Sequence, residues 1–278
     1  MSDPDNIHMM AGDDQALAMA SQRARDTFKY FWRELSWEFR RIVPALDLAC
    51  VKIAFTDGDA HREGPSHEHM WVSNVNYDGK HITGSLMNSP RWLSNIKEGD
   101  AVTTTLSELG DWMFSIHGRV YGAFTVNLIR SRMSLADRKA HDVAWGLDFG
   151  DPDSIELVYQ RPKEKKNFLS SIFGKKPESV DRSEISTLVE HPMSINMGDK
   201  LREQLKDFPE LIHRRDERGW TFLHGESLAG NLTSVRILIE HGADPLLKTS
   251  DGATALDLAE TLHWDHVANY LQMTKNKQ

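Results

Sequence analysis

Apolar residues recur every three or four positions in the first part of the chain, between Asp13 and Ile42. This spacing places the apolar side chains on one face of a helix. Pro44 follows shortly afterwards, and proline ends helices because it lacks the backbone N–H. The pattern predicts one long helix over 13–42. Because its charges are mixed rather than basic, we expect it to pack on a sheet and not on a membrane surface.

After Pro44, apolar residues alternate with polar ones, which predicts β-strands. Segment 134–147 then begins with a serine cap and predicts a helix. The first domain is therefore predicted to be α+β over 13–158, with the long N-terminal helix packed on an antiparallel β-sheet or partial barrel. The six predicted strand segments are LDLACVKIAF, HEHMWVSNVNYDG, HITGSLMN, AVTTTLSE, DWMFSIHG and VYGAFTVNLIR.

Four motifs in this domain are typical of a known family. EHMWVSNV, GSLMNSP, IKEGDAV and DWMFSIHGRVYGAFT, together with the upstream helix, resemble the bacterial domain of unknown function 2314, the YegJ-like family. The resemblance covers about 15–151. It implies a fold but no activity. The positions that anchor it are Trp71, Pro90, Gly99, Asp111, Trp112 and Gly122.

The last third of the chain repeats itself with a period of 33 residues. A fixed period of this length predicts stacked helical repeats. GWTFLHGES and GATALDLAE resemble the ankyrin pattern G-x-T-P-L-H-x-A, although Phe222 and Ala255 replace proline and Asp257 replaces histidine. We predict a short all-α ankyrin array over 191–278, of about two and a half units, the incomplete first unit supplying its second helix around Leu205. The recurring pairs are Gly219 and Gly252, Thr221 and Thr254, Leu223 and Leu256, and Leu238 and Leu271.

The ankyrin resemblance implies a non-catalytic unit that binds a protein partner at its turn tips. An aromatic residue at a tip, here Trp220, suits a binding hot spot. Alternatively, Trp220 packs against the N-terminal domain. The predicted protein-binding residues are Glu217, Arg218 and Trp220 at one tip, and Ser250, Asp251 and Ala253 at the next.

Charge and cysteine content narrow the class of protein. A net charge of −8 argues against nucleic-acid binding, which needs a basic face. The single cysteine, Cys50, lies in an apolar run, which predicts a buried, inert thiol and a reducing compartment. The N-terminal residues do not resemble a signal peptide, and no apolar run is long enough to cross a membrane. We expect a cytoplasmic bacterial protein.

Histidines and carboxylates are the candidates for chemistry. His67 and His69 share one strand face and could bind zinc with His61, His81 or His117, or could simply be solvated. Glu108 and Asp111 are candidate general bases; alternatively, an acidic residue that begins a strand bonds backbone amides. Because no known catalytic motif is present, we predict no catalytic residue, no cofactor and no small-molecule substrate.

A basic segment, 159–190, joins the two predicted domains. Its lysines and arginines flank a short apolar patch made by Phe168, Leu169, Ile172 and Phe173. Such a segment either touches anionic lipid or a partner, or serves as a linker whose apolar residues dock onto a domain. The linker is the favoured interpretation.

The sequence favours a two-domain cytoplasmic binding protein whose ankyrin repeats capture a protein partner, as a stoichiometric inhibitor or immunity protein. The alternative is a metal-dependent enzyme that has a histidine site in its β-rich domain and recruits its substrate through the repeats. A third hypothesis is a membrane-surface adaptor that uses residues 163–176. The sequence names neither the partner nor the oligomeric state.

Overall fold

A computed structural model of the chain describes residues 15–58, 67–160 and 189–275. The chain divides into two compact units, with the boundary between Leu157 and Val158. The first unit mixes helices and strands, and the described part of the second is helical. These findings confirm the α+β fold class and the antiparallel sheet. The predicted linker lies almost wholly outside the described residues, so the domain limits at 158 and 190 stay predictions.

The sheet of the first unit has six strands in the order β4-β3-β2-β1-β5-β6, and every neighbouring pair is antiparallel. Most of the predicted strand segments are confirmed. The strands are β1 (Leu48–Phe55), β2 (Glu68–Tyr77), β3 (His81–Leu86), β4 (Ala101–Thr105), β5 (Leu109–Ile116) and β6 (Arg119–Gly122). A short 3-10 turn, Leu106–Glu108, precedes β5.

One face of this sheet is covered by helix α1 (Gln15–Glu38). Phe28 and Phe31 are fully buried, and the Phe31 ring lies 5.9 Å from that of Trp112 on β5. The Trp112 indole N–H donates to the carbonyl of Ala24 at 2.9 Å, which anchors the helix to the sheet. The helix ends four residues before its predicted limit at 42, because the Glu38 carboxylate accepts backbone N–H groups of the following loop and turns the chain.

The last predicted strand segment, VYGAFTVNLIR, is partly wrong. Only Arg119–Gly122 is a strand, and the chain continues as helix α2 (Phe124–Ser131). The Asp111 carboxylate on β5 accepts the backbone N–H of Phe124 at 2.9 Å and that of Thr125 at 2.7 Å. A carboxylate in this position satisfies N–H groups that have no partner in the first turn of a helix. This cap, which comes from another strand, stabilises a helix where the local pattern indicated a strand.

The second face of the sheet is covered over only part of its width. Cys50 of β1 is fully buried there, as predicted, against Met113 of β5 and Val126 of α2. Helix α3 (Leu135–Trp145) begins at the predicted serine cap, where the Ser134 hydroxyl accepts the Asp137 N–H, and Trp145 packs edge-on against Trp71 of β2. Beyond Trp71 the strands carry partly or fully exposed hydroxyl side chains, those of Ser73, Thr83, Ser85 and Thr103.

The second unit consists of helix pairs repeated every 33 residues. In two successive units the first helices begin at Phe222 and Ala255, and the second helices at Leu232 and Asp265. The incomplete first unit also has a short first helix, which the sequence analysis did not predict. The helices are α4 (Pro192–Asn196), α5 (Gly198–Asp207), α6 (Phe222–Leu228), α7 (Leu232–Glu240), α8 (Ala255–Thr261) and α9 (Asp265–Lys275).

Each complete unit begins with a reciprocal hydrogen-bonded cap. The Thr221 N–H donates to Nδ1 of His224 at 3.0 Å, and the Thr254 N–H donates to the Asp257 carboxylate at 2.7 Å. Aspartate can therefore replace histidine in the second unit, because both side chains accept this bond. Nε2 of His224 also lies 3.1 Å from the carbonyl of Leu247, a contact that Asp257 is too short to reproduce.

A tryptophan between the two helices of the second complete unit packs against the preceding unit. Trp264 is buried, and its indole N–H donates to the carbonyl of Leu228 at 3.0 Å. Its ring lies directly against Gly230, which has a φ of +74°. A side chain at this position would both clash with the ring and strain the backbone. The contact therefore requires glycine.

Candidate functional site

The two predicted turn tips lie side by side and are joined through the backbone. The Ser250 N–H donates to the carbonyl of Arg218 at 2.9 Å. Gly219 permits this approach, because a Cβ there would lie 3.0 Å from the Ser250 nitrogen. The structure thus brings the predicted residues of both tips together, and we call this surface the tip ledge: Glu217, Arg218, Trp220, Ser250, Asp251 and Ala253.

Asp216 organises the first tip, although the sequence analysis did not identify it. Its carboxylate accepts the backbone N–H groups of Arg218 at 2.9 Å and of Trp220 at 2.8 Å. Partial burial raises the pKa of Asp216, but the hydrogen bonds and the charge of Arg218 lower it by more. The pKa of Asp216 therefore lies below its usual value. The sequence pattern that could have identified Asp216 is an aspartate three residues before a glycine, which is common in turns.

Arg218 and Trp220 form a stacked pair on the tip ledge. The Arg218 guanidinium lies 4.8 Å from the centroid of the Trp220 ring and donates hydrogen bonds to Asp216 at 3.2 and 3.3 Å. The Trp220 ring is half-buried and lies 6.2 Å from that of His224. Both side chains are thus held before binding, which reduces the entropy lost when a partner is bound.

The second tip is smaller and flatter. Ser250 and Asp251 are exposed, and Ala253 is half-buried. The Ala253 N–H donates to the Thr249 hydroxyl at 3.1 Å, and the Thr249 N–H donates to the Ala253 carbonyl at 2.9 Å, which closes the turn. Next to the tips, Phe222 is 39% exposed at the start of α6. It extends the apolar part of the surface and was not predicted.

The candidate metal-binding histidines do not converge. His67 and His69 are exposed at the start of β2, and the third-ligand candidates His81 and His117 lie at the opposite ends of their strands. His61 falls outside the described residues. Across the described ranges, no group of three His, Cys, Asp or Glu side chains is arranged to hold a metal ion.

The two candidate general bases have different environments. Glu108 is exposed on the turn before β5. Asp111 is fully buried, and its oxygens accept the N–H groups of Trp112, Phe124 and Thr125 and the Thr125 hydroxyl. Each oxygen therefore already accepts two hydrogen bonds. This arrangement supports the structural interpretation of Asp111, in which the carboxylate bonds backbone amides.

Lys52 is the most unusual polar residue of the first unit, and the sequence analysis did not single it out. It lies in the middle of β1, opposite Trp71 on β2 and Asp111 on β5. Its Nζ atom donates to Thr125 Oγ1 at 3.1 Å and lies 5.2 Å from the centroid of the Trp71 ring. Burial lowers the pKa of Lys52. The sequence pattern that could have identified Lys52 is a lysine inside the apolar run LDLACVKIAF.

The described residues contain no helix that is long and apolar enough to cross a membrane. The basic patch predicted as a lipid contact, 163–176, lies outside the described residues.

Comparison with known proteins connects both units to sequence families. Residues 14–149 match a family described as "Uncharacterized protein conserved in bacteria (DUF2314)". A protein of Neisseria meningitidis serogroup B that is named for ankyrin repeats is 41% identical over 267 residues, which is 96% of this chain and 96% of that protein. This match covers both units.

Two shorter similarities each cover less than a quarter of the chain. The human DNA-binding protein RFXANK is 41% identical over 63 residues, which is 23% of this chain and 24% of that protein. The Escherichia coli protein YegJ is 27% identical over 60 residues, 22% of this chain and 39% of that protein.

Proposed function

The chain belongs to the family of the Neisseria protein named for ankyrin repeats and carries a DUF2314 domain over residues 14–149, and from this premise we propose that its helical unit captures a protein partner. The observation that carries the proposal is the tip ledge. Two neighbouring tips, joined by the bond between Ser250 and Arg218, present exposed polar groups around a preorganised Arg218–Trp220 pair. Tryptophan and arginine are enriched among residues that dominate binding energy.

We further propose that the partner is a protein rather than a nucleic acid, and that the chain acts in the cytoplasm as a stoichiometric inhibitor or immunity protein. The name of RFXANK refers to DNA binding by that protein. Here the net charge of −8 disfavours contact with phosphates and would speed association with a basic protein.

The test is affinity capture from the native lysate with the full chain as bait, followed by mass spectrometry. Wild-type bait should recover one partner in stoichiometric amount, and an Arg218→Ala/Trp220→Ala bait should lose it. The matched control is Arg91→Ala/Trp92→Ala, because Arg91 lies 5.4 Å from the Trp92 ring in the same kind of stack on the first unit.

Recovery of the same partner by the tip variant would refute capture through the tip ledge, as would a wild-type bait that recovers nothing. The inhibitor role has its own test. The partner should be toxic when expressed alone and neutralised at a one-to-one ratio. A partner that is harmless alone would refute the inhibitor role but not the capture of a partner.

A further inference from the structure

We propose that the first unit has a second binding site, formed around Lys52 and His69 on the partly covered face of the sheet, and that this site binds an oxyanion, a carboxylate or a phosphate group. The site is independent of the tip ledge, because all of its residues belong to the DUF2314 domain.

Lys52 has unused hydrogen-bonding capacity. A lysine ammonium has three N–H donors. Within the described part of the chain, Nζ of Lys52 has one hydrogen-bond acceptor, Thr125 Oγ1, and forms no ion pair with a carboxylate. A part-buried ammonium normally needs more acceptors than one hydroxyl provides. A bound oxyanion would provide them.

The nearest carboxylate does not fill this role. Asp111 lies opposite Lys52 in the strand register, but its two oxygens bond the N-terminus of α2 and the Thr125 hydroxyl. Because Thr125 donates its hydroxyl hydrogen to Asp111, its oxygen is available to accept from Lys52. Asp111 therefore fixes the orientation of Thr125 and, through it, the position of the ammonium group.

His69 supplies a second polar group on the same face. Lys52 pairs with Trp71, so His69 is the diagonal neighbour of Lys52 on β2, at a typical distance of about 7–8 Å. Gly110 of β5 has no side chain, and the position that its Cβ would occupy is 3.6 Å from the His69 ring. The imidazole can therefore lie over β5, close to the Lys52 backbone.

The Asp111 carboxylate offsets part of the charge of Lys52. However, its oxygens already accept four hydrogen bonds, and the N–H donors of Lys52 and His69 suit an anion rather than a metal cation. Partial desolvation of the ring, whose residue stays exposed, and the positive charge of Lys52 lower the pKa of His69, with a smaller contribution from His67. The lowered pKa favours the neutral imidazole, which can donate one N–H to an oxygen atom. A metal ion at the same place would be repelled by the ammonium group of Lys52. Beside these donors, the Trp71 ring provides a wall, and the hydroxyls of Ser73 and Ser85 continue along the sheet.

The proposal can be tested on the full chain with two simple ions, inorganic phosphate and acetate, against chloride at equal ionic strength. The readout is the NMR titration of the His69 ring. A bound anion offsets the charge of Lys52, so the pKa of His69 should rise saturably with one of the two ions and not with chloride. The ion that binds shows whether the site prefers phosphate or carboxylate groups.

Two variants identify the donors. Lys52→Met keeps the length and bulk of the side chain without the charge, and should weaken binding by at least about tenfold, or about 1.4 kcal/mol. His69→Ala, at an exposed position, removes the imidazole donor, serves as the second probe if Lys52→Met does not fold, and should also weaken binding. Because this variant lacks the observed ring, its binding is measured by isothermal titration calorimetry, alongside the wild type. The proposal is overturned if neither ion produces a saturable change, or if both folded variants bind as the wild type does.

Discussion

At the scale of single residues, Asp111 shows how one carboxylate determines the structure around it. It begins neither a helix nor a turn, yet it caps α2 and orients Thr125 next to Lys52. Burial raises the pKa of Asp111, while Lys52 and the hydrogen bonds that its oxygens accept act in the opposite direction. All four of these hydrogen bonds are accepted, so an acceptor-only carboxylate fits the site better than an amide. The residue is structural, and its effect extends to the proposed oxyanion site.

Asp111→Asn should destabilise the first unit by about 2–4 kcal/mol, because an amide presents two N–H donors where the site also offers donors. The free energy of unfolding in urea measures the change. The control is Glu108→Gln, at an exposed carboxylate three residues earlier, which should change stability by less than about 0.5 kcal/mol. Equal effects for the two variants would show that the buried hydrogen bonds of Asp111 contribute nothing.

At the scale of elements, two capping residues make the repeats differ in their response to pH. Burial lowers the pKa of His224, so protonation is more costly in the folded state than in the unfolded chain. Hydrogen bonds from Thr254 lower the pKa of Asp257, so its contribution to stability is present above the unfolded value and is lost only in acid. The first cap therefore weakens at a much higher pH than the second.

The helical unit should lose stability as the pH falls from about 7.5 to about 5, below the unfolded histidine value of about 6.5. In this window the unfolded state binds more protons than the folded state, so the free energy of unfolding decreases as the pH falls. His224→Asp, which copies the residue of the second unit, should reduce the pH dependence, whatever its effect on stability at neutral pH. Melting temperatures from circular dichroism at the two pH values test this. An unchanged pH dependence in the variant would exclude His224 as the source.

Most of the helices could be predicted from the sequence, but some could not. Helix α1, α3 and the repeat helices other than α4 follow from periodicity and local caps, and the positions of the two tips follow from the repeat register. Helix α2 was not predicted because its cap, Asp111, lies 13 residues before Phe124. Helix α4 has only five residues and little periodicity. Lys52 was missed because its partners, Trp71 and Thr125, come from other elements.

At the scale of the whole molecule, the chain combines two units and contains one thiol. Cys50 is fully buried between the sheet and α2, and burial raises its pKa well above the usual value. Since the chain has no second cysteine, this thiol reports the opening of the first unit without interference.

Alkylation of Cys50 in the native protein should be slow, and its rate should rise with urea in parallel with unfolding, because only the opened unit exposes a thiolate. Mass spectrometry after timed iodoacetamide treatment measures the rate. A Cys50→Ala/Thr103→Cys variant is the control, because position 103 is exposed and its thiol should react at once. Rapid alkylation of native Cys50 would contradict the burial of the second sheet face.

The link between the two turn tips has a consequence for how this surface can evolve. The tips are joined through backbone atoms of Arg218 and Ser250, and Asp216, Gly219 and Thr249 hold that geometry. The outward side chains can therefore vary without changing the spacing between the tips. Substitutions at a few of these positions could change which partner the surface binds during evolution. A library randomised at the outward positions, with Asp216, Gly219 and Thr249 kept, should yield new binders on an unchanged backbone.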